Sequence, residues 1–287
     1  MIYLFISILI SSLLFVIFKL FSVFKINTSH AIVINYAIAI PFGIYASTIN
    51  LPITQVPQQP WFLGAFCLGF LFIAIFNIMG LTAQKNGLSV ASVSGKMSVV
   101  IPISTGIFLY NESINVIKIT GILIALIAVY LSSAKSDTSP VKFKNLIYPL
   151  LLFIGSGIID AGLKYMEIFY VSTKYVPMFL ATIFGVAFIF GCIFILLQII
   201  KNNFKFHWKN CVAGVILGVP NYYSMEFLLK ALQTKGLESS TLFTINNVSV
   251  VVLTTTFALF FFKEKLVKKN FIGIGLAIIS ILLVAWA

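Results

Sequence analysis

The chain has 287 residues, of which 60% are apolar, 15% aromatic and only 9% charged, with a formal net charge of +12. Soluble domains carry about 25% charged residues, and a water-soluble chain has nowhere to put this much hydrocarbon surface, so a soluble enzyme or binding domain is excluded. Nucleic acid is excluded as well, because all nineteen basic residues are lysines scattered between apolar runs and form no basic groove.

Residues 1–18 are apolar but lack a basic leader and a small-residue cleavage site, so they read as a first helix rather than a signal peptide. Apolar runs follow at 31–49, 61–81, 88–110 and 114–131. Each is near the roughly 20 residues that a helix needs to cross about 30 Å of hydrocarbon. The polar stretch AKSDTSPVKFK, residues 134–144, is the candidate linker. Beyond it, runs at 146–165, 176–200, 211–232, 237–262 and 271–286 supply five more spans. Trp61 at one start, and Trp208 and Trp286 near other ends, suit an interfacial aromatic belt. Cys67, Cys192 and Cys211 lie in or beside apolar runs without paired spacing, which indicates neither a disulfide nor a metal site.

The two groups of five runs repeat one another. Gln84, Gly87 and Leu88 recur 149 positions later as Gln233, Gly236 and Leu237. Glu112 and Gly121 recur 152 positions later as Glu264 and Gly273, with nine positions between acid and glycine in both copies. Ser11 and Lys19 are echoed at an offset of 145 by Ser156 and Lys164. The expected fold is therefore an all-α polytopic membrane protein of ten transmembrane helices, with residues 1–133 and 145–287 as two five-helix repeats. An odd number of spans per half forces the halves into opposite orientations, the inverted-repeat design. Thirteen lysines fall in loops 1–2, 3–4, 5–6, 7–8 and 9–10, against three (Lys118, Lys174 and Lys235) in the others. Basic residues gather at cytoplasmic ends, so a multi-pass protein of the inner membrane with both termini outside is expected.

Ten spans in two repeats, each closing on Glu112 or Glu264 with Gly121 or Gly273 nine residues on, resemble the drug/metabolite transporter superfamily, in particular its EamA-like branch. Relatives often read Gly-Glu-Arg around the acid, where this chain has Asn111-Glu112-Ser113 and Lys263-Glu264-Lys265. The resemblance implies a small-metabolite carrier, often an exporter, with a central cavity between the halves. Amino acids or related compounds are the implied cargo, and a nucleotide-sugar or sugar-phosphate exchanger is the alternative of the same architecture. The expected partners are that small molecule, a proton if transport is coupled, and the lipid bilayer, for a monomer or homodimer.

Ionisable groups in hydrocarbon cost at least about 2.5–3.5 kcal/mol, so those deep in spans must face protein or water. Lys96 lies near the middle of the fourth span and shares a helical face with Ser89 and Ser92. It is the expected partner of a substrate carboxylate or phosphate, unless it pairs internally with Asp160 or Glu226. Asp160, with Ser156 and Lys164 four residues to either side, is a second candidate. A third is Glu226, flanked likewise by Tyr222 and Lys230. For both acids the plainer alternative is an intrahelical pair. Asn77 matches Glu226 under the 149 offset, and Ser240, Thr244 and Asn247 form a polar row on the ninth span. Such residues also serve as polar glue between helices. Pro220, directly before Asn221 and Tyr222, marks a possible helix break, and Gly214 with Gly218 a close helix contact. Glu112, Gly121, Glu264 and Gly273 read as helix-junction residues. No metal, cofactor or catalytic residue is indicated: HExxH, GxSxG and Walker A patterns are absent, and His30 and His207 are the only histidines. A membrane enzyme or a structural assembly protein is the alternative of another class.

Overall fold

The computed structural model describes residues 2–47, 49, 51–102, 104–105, 116–132, 134, 143–201, 206–232 and 239–286. Among them are ten α-helices and no strand: α1 (Ile2–Val23), α2 (Thr28–Ala46), α3 (Phe62–Lys85), α4 (Leu88–Met97), α5 (Val116–Ser132), α6 (Phe143–Phe169), α7 (Val176–Ile200), α8 (Trp208–Leu232), α9 (Ser239–Phe260) and α10 (Lys268–Trp286). Five of them (α1, α2, α3, α7 and the Asn145–Phe169 part of α6) are long and apolar enough to cross a membrane. At 1.5 Å per residue they reach roughly 28–38 Å, against a hydrocarbon core of about 30 Å. Their outer faces carry large exposed apolar side chains such as Leu9, Phe66, Phe70, Ile189 and Leu196, a surface that water would penalise and lipid accepts.

Hydrogen bonds gather one set of turns at one end of the bundle. The amide of Asn27, before α2, donates to Asn210 Oδ1 in the first turn of α8. Asn86, after α3, donates to the Asn145 carbonyl near the start of α6 (2.6 Å). Asn270, early in α10, donates to the carbonyls of Leu131, Ser132 and Ala134 at the end of α5. His30, in α2, bonds Gln198 near the end of α7. These are the turns in which the sequence concentrates lysine. The other end collects Trp61 against Phe179, Gly43 against Pro177 and Ala181, and Tyr3 against Phe227. Successive helices therefore run antiparallel.

The core is aromatic. Phe18, Tyr36, Phe76 and Phe184 interlock from α1, α2, α3 and α7 at ring separations of 5.4–5.9 Å. Gly214 and Gly218 let α8 approach α2 so closely that a Cβ would stand 2.7–2.8 Å from the Ala31 and Asn35 carbonyls. This is the close contact expected of that pair.

Exchanging α1–α5 for α6–α10 carries the main helix pairs into one another: α1·α8 into α3·α6, α2·α8 into α3·α7, and α1·α9 into α4·α6. The pairs α2·α7, α4·α9 and α5·α10 map onto themselves.

Two expectations are corrected. Helix α8 runs unbroken through Pro220, so the tyrosines that follow stay helical. The break falls instead within the expected fourth span, 88–110, directly after α4, as a turn at Ser98–Val99 before helix resumes at Val100. Pro102 has no N–H to give the Ser98 carbonyl. That carbonyl accepts from Ile101 instead (2.9 Å), in a tighter three-residue turn. Glu112 and most of the linker lie outside the described residues.

Candidate functional cleft

Helix α6 shows how charge is placed inside this bundle. Leu151, Ile154, Ile158, Tyr165 and Ile168 are all exposed, and their spacing of three, four, seven and three puts them on one outward stripe. At about 100° per residue, Asp160 lies about 160° away from Ile158, on the inward side. It is nevertheless exposed while ringed by protein atoms. Both observations fit a carboxylate reached by water through a cleft inside the bundle. The same face continues through Lys164 and Glu167, both exposed, to the end of α6. There a cavity of about 520 Å³ is lined by residues Glu167 to Ser172.

Lys96 approaches Asp160 from α4. It is half-buried in the last turn of that helix, directly before the Ser98–Val99 turn. Asp160 is its main charged neighbour, yet among the described residues the two form no direct ion pair. Beside Asp160 stands Ser98, whose buried hydroxyl lies 3.4 Å from Asp160 Oδ2 and also donates to the Gly95 carbonyl at 2.6 Å. A cation and an anion held apart, beside a hydroxyl and open to water on one side, can receive a small dipolar or charged ligand between them.

The other residues expected here are placed differently. Ser92 is fully buried and donates to the Ser89 carbonyl (3.0 Å). Asn77 accepts from Ser29 at 2.7 Å and donates to the Ile73 carbonyl, joining α2 to α3 as polar glue. Tyr222 is buried and stacked on Phe42 with ring centroids 5.6 Å apart. Glu226 pairs with Lys230 at 2.6 Å, the plainer alternative noted above. Asn247 is buried in α9, and the side chain of Thr244 lies outside the described residues.

The helix-junction residues are more informative than their spacing suggested. Glu264 bonds Lys19 Nζ at 2.7 Å, and its two oxygens accept from the Leu88 amide at 2.8 and 3.1 Å. It thus satisfies an orphan donor at the start of α4 and favours the positive end of that helix dipole. Gly87 makes this possible: its φ of +111° suits glycine, and a Cβ there would stand 2.9 Å from Glu264 Oε2. Gly121 and Gly273 meet in the α5·α10 contact. The Gly121 carbonyl accepts from Ser280 (2.7 Å), and Gly273 lies so close to α5 that a Cβ would be 2.6 Å from the Ser132 amide. Sequence reasoning missed Ser98 and Asn270. It noted Lys19 as an echo of Lys164 and among the lysines that set the expected orientation, without naming its partner.

At the lysine-rich end α1 packs on both α3 and α4, with Gly80 against Phe18 and Gln84 bonded to Thr28 (2.6 Å). Among the described residues, the counterpart α6 makes at most a marginal contact with α8 or α9.

No family model matches the chain. A protein of Haemophilus influenzae strain Rd, described as uncharacterized, is 26% identical over 279 residues, covering 93% of this chain and 92% of its own length. A solved crystal structure superposes with a TM-score of 0.59 at 17% identity, over 99% of this chain and 95% of that one. At such identity the likeness shows a shared fold along the whole length, and nothing of activity.

Proposed function

We propose that the chain is a secondary transporter that moves a small polar metabolite, an amino acid or related compound, across the inner membrane through the cleft between its halves. The observation that carries this reading is Asp160. A carboxylate midway along a membrane-length helix, turned inward and still open to water, is costly unless a pathway uses it. Lys96, facing it without pairing, supplies the complementary charge for a zwitterion, and a group on Asp160 can also carry a coupling proton. The helix pairs that survive exchange of the two halves, with their ends swapped, support an inverted ten-span repeat. The repeated Glu and Gly residues support kinship with EamA-like carriers.

Uptake into proteoliposomes tests the proposal. Purified protein should accumulate one labelled metabolite from a panel of amino acids, sugar phosphates and nucleotide sugars, and Lys96→Met with Asp160→Asn should abolish that accumulation. If no compound enters faster than into protein-free vesicles, the carrier reading falls. Uptake confined to nucleotide sugars or sugar phosphates would keep the architecture and replace the cargo.

A further inference from the structure

Lys19 of α1, Glu264 in the turn between α9 and α10, and the first amide of α4 meet at one end of the bundle, through contacts of 2.7, 2.8 and 3.1 Å. The ion pair is sheltered, with side chains only 20% and 11% exposed, so water screens it less than it would a surface pair. It stands at the lysine-rich end, where α1 packs on both α3 and α4. Helix α4 is the shared element. Its first amide is held by Glu264, and eight residues on, about 12 Å away, it carries Lys96. Immediately afterwards the chain turns at Ser98–Val99. A ten-residue strut pinned at one end and turned at the other moves as a unit about that turn.

We propose that Lys19, Glu264 and the Leu88 amide form the gate of the lysine-rich face, and that α4 links this gate to the cleft at Lys96. The gate rests on the carrier reading for its purpose, since a latch matters only if the closed face must open. With the latch made, α4 seals the path between Lys96 and that face, and the cleft communicates with the opposite side. When the carboxylate lets go of Lys19 and Leu88, α4 and α1 are free to part from α9. The path along Ser89, Ser92 and Lys96, which share one face of α4, then opens.

A single thiol reports the opening. Ser89 is buried, and its hydroxyl has no partner, so Ser89→Cys removes no hydrogen bond. Cys67, Cys192 and Cys211 are replaced by alanine, and a membrane-impermeant maleimide is applied to one face at a time, in right-side-out and in inverted vesicles. With the latch intact the thiol should be protected from the lysine-rich side. Glu264→Gln, which keeps an acceptor for the Leu88 amide but not the charge, and Lys19→Met, which leaves the helix cap in place, should each raise labelling from that side about ten-fold. That is the population change produced by about 1.4 kcal/mol.

Unchanged labelling in both variants would make Glu264 a static helix cap and sink the gate. So would labelling that rises equally from both sides to the rate of the detergent-unfolded chain, which reports collapse rather than opening. The outcome separates from that of the carrier proposal. A one-sided rise without transport of any metabolite keeps the latch and removes the carrier. Unchanged labelling beside Lys96-dependent transport does the reverse.

Discussion

At the scale of single residues, Lys96 and Asp160 matter because each lacks the partner that would neutralise it. Two charges in mutual contact would leave little for a ligand, whereas two neighbouring charges without a direct ion pair keep their attraction for one. A hydrogen bond to a charged group contributes about 1.5–3 kcal/mol, which is roughly ten- to a hundred-fold in affinity. Lys96→Met, close in length and uncharged, should therefore accumulate normally in the membrane and lose transport by at least about ten-fold. Lys96→Arg should retain part of it. Transport by Lys96→Met at the wild-type rate, at equal protein level, would reduce Lys96 to a structural residue. Glu226 provides a contrast on α8: its pair with Lys230 follows from the four-residue spacing, so Glu226→Gln is expected to leave transport within about two-fold in the same vesicles.

At the scale of elements, the α5·α10 contact concentrates the testable packing. The Asn270 amide nitrogen donates to the last carbonyls of α5, and its oxygen accepts from the Val267 amide at 2.8 Å. One buried side chain thus ends one helix and starts another. Asn270→Ala leaves several of these groups unpaired, at about 1–3 kcal/mol for each buried group, and should lower the thermal midpoint of the purified protein by several degrees. Within α10 two glycines should behave oppositely. Gly273→Ala drives a Cβ into the α5 backbone and should destabilise by about 1–3 kcal/mol. Gly275→Ala meets nothing within 4 Å, so it should gain up to about 1 kcal/mol from helix propensity. Equal midpoints for the two variants would contradict the packing described. The spacing of Gly273 after Glu264 was visible in the sequence. The reason for it was not, because the atoms that forbid a side chain belong to α5, which lies far away along the chain.

At the scale of the whole molecule, the turns bound together by Asn86, Asn210 and Asn270 are those in which lysines concentrate. If that end faces the cytoplasm, as basic residues favour, the C-terminus lies outside. A C-terminal alkaline phosphatase fusion should then be active and a GFP fusion dark. The opposite pattern would reverse the orientation while leaving the arrangement of helices unchanged.

The all-helical character and the long apolar helices were legible in the chain because hydrocarbon burial is a local property. A run of apolar residues long enough to cross the membrane announces itself regardless of its neighbours. Fixed offsets such as Gly87 to Gly236 were legible too, and they are the ground on which two repeats are expected. What each charged or polar group does was decided only by tertiary contacts. Spacing alone treated Asp160 and Glu226 alike, each with a lysine four residues on. Packing then placed Asp160 beside Ser98 and Lys96, and left Glu226 paired within its own helix. Spacing also marked Pro220 as the helix breaker, whereas the turn falls at Ser98–Val99, where the Ser98 carbonyl, four residues before Pro102, bonds the Ile101 amide instead. Glu264 read as a junction residue, and only the fold brought it to Lys19 and the Leu88 amide. Electrostatic partners across a bundle are set by which faces meet, and no periodicity within one helix encodes the face of another.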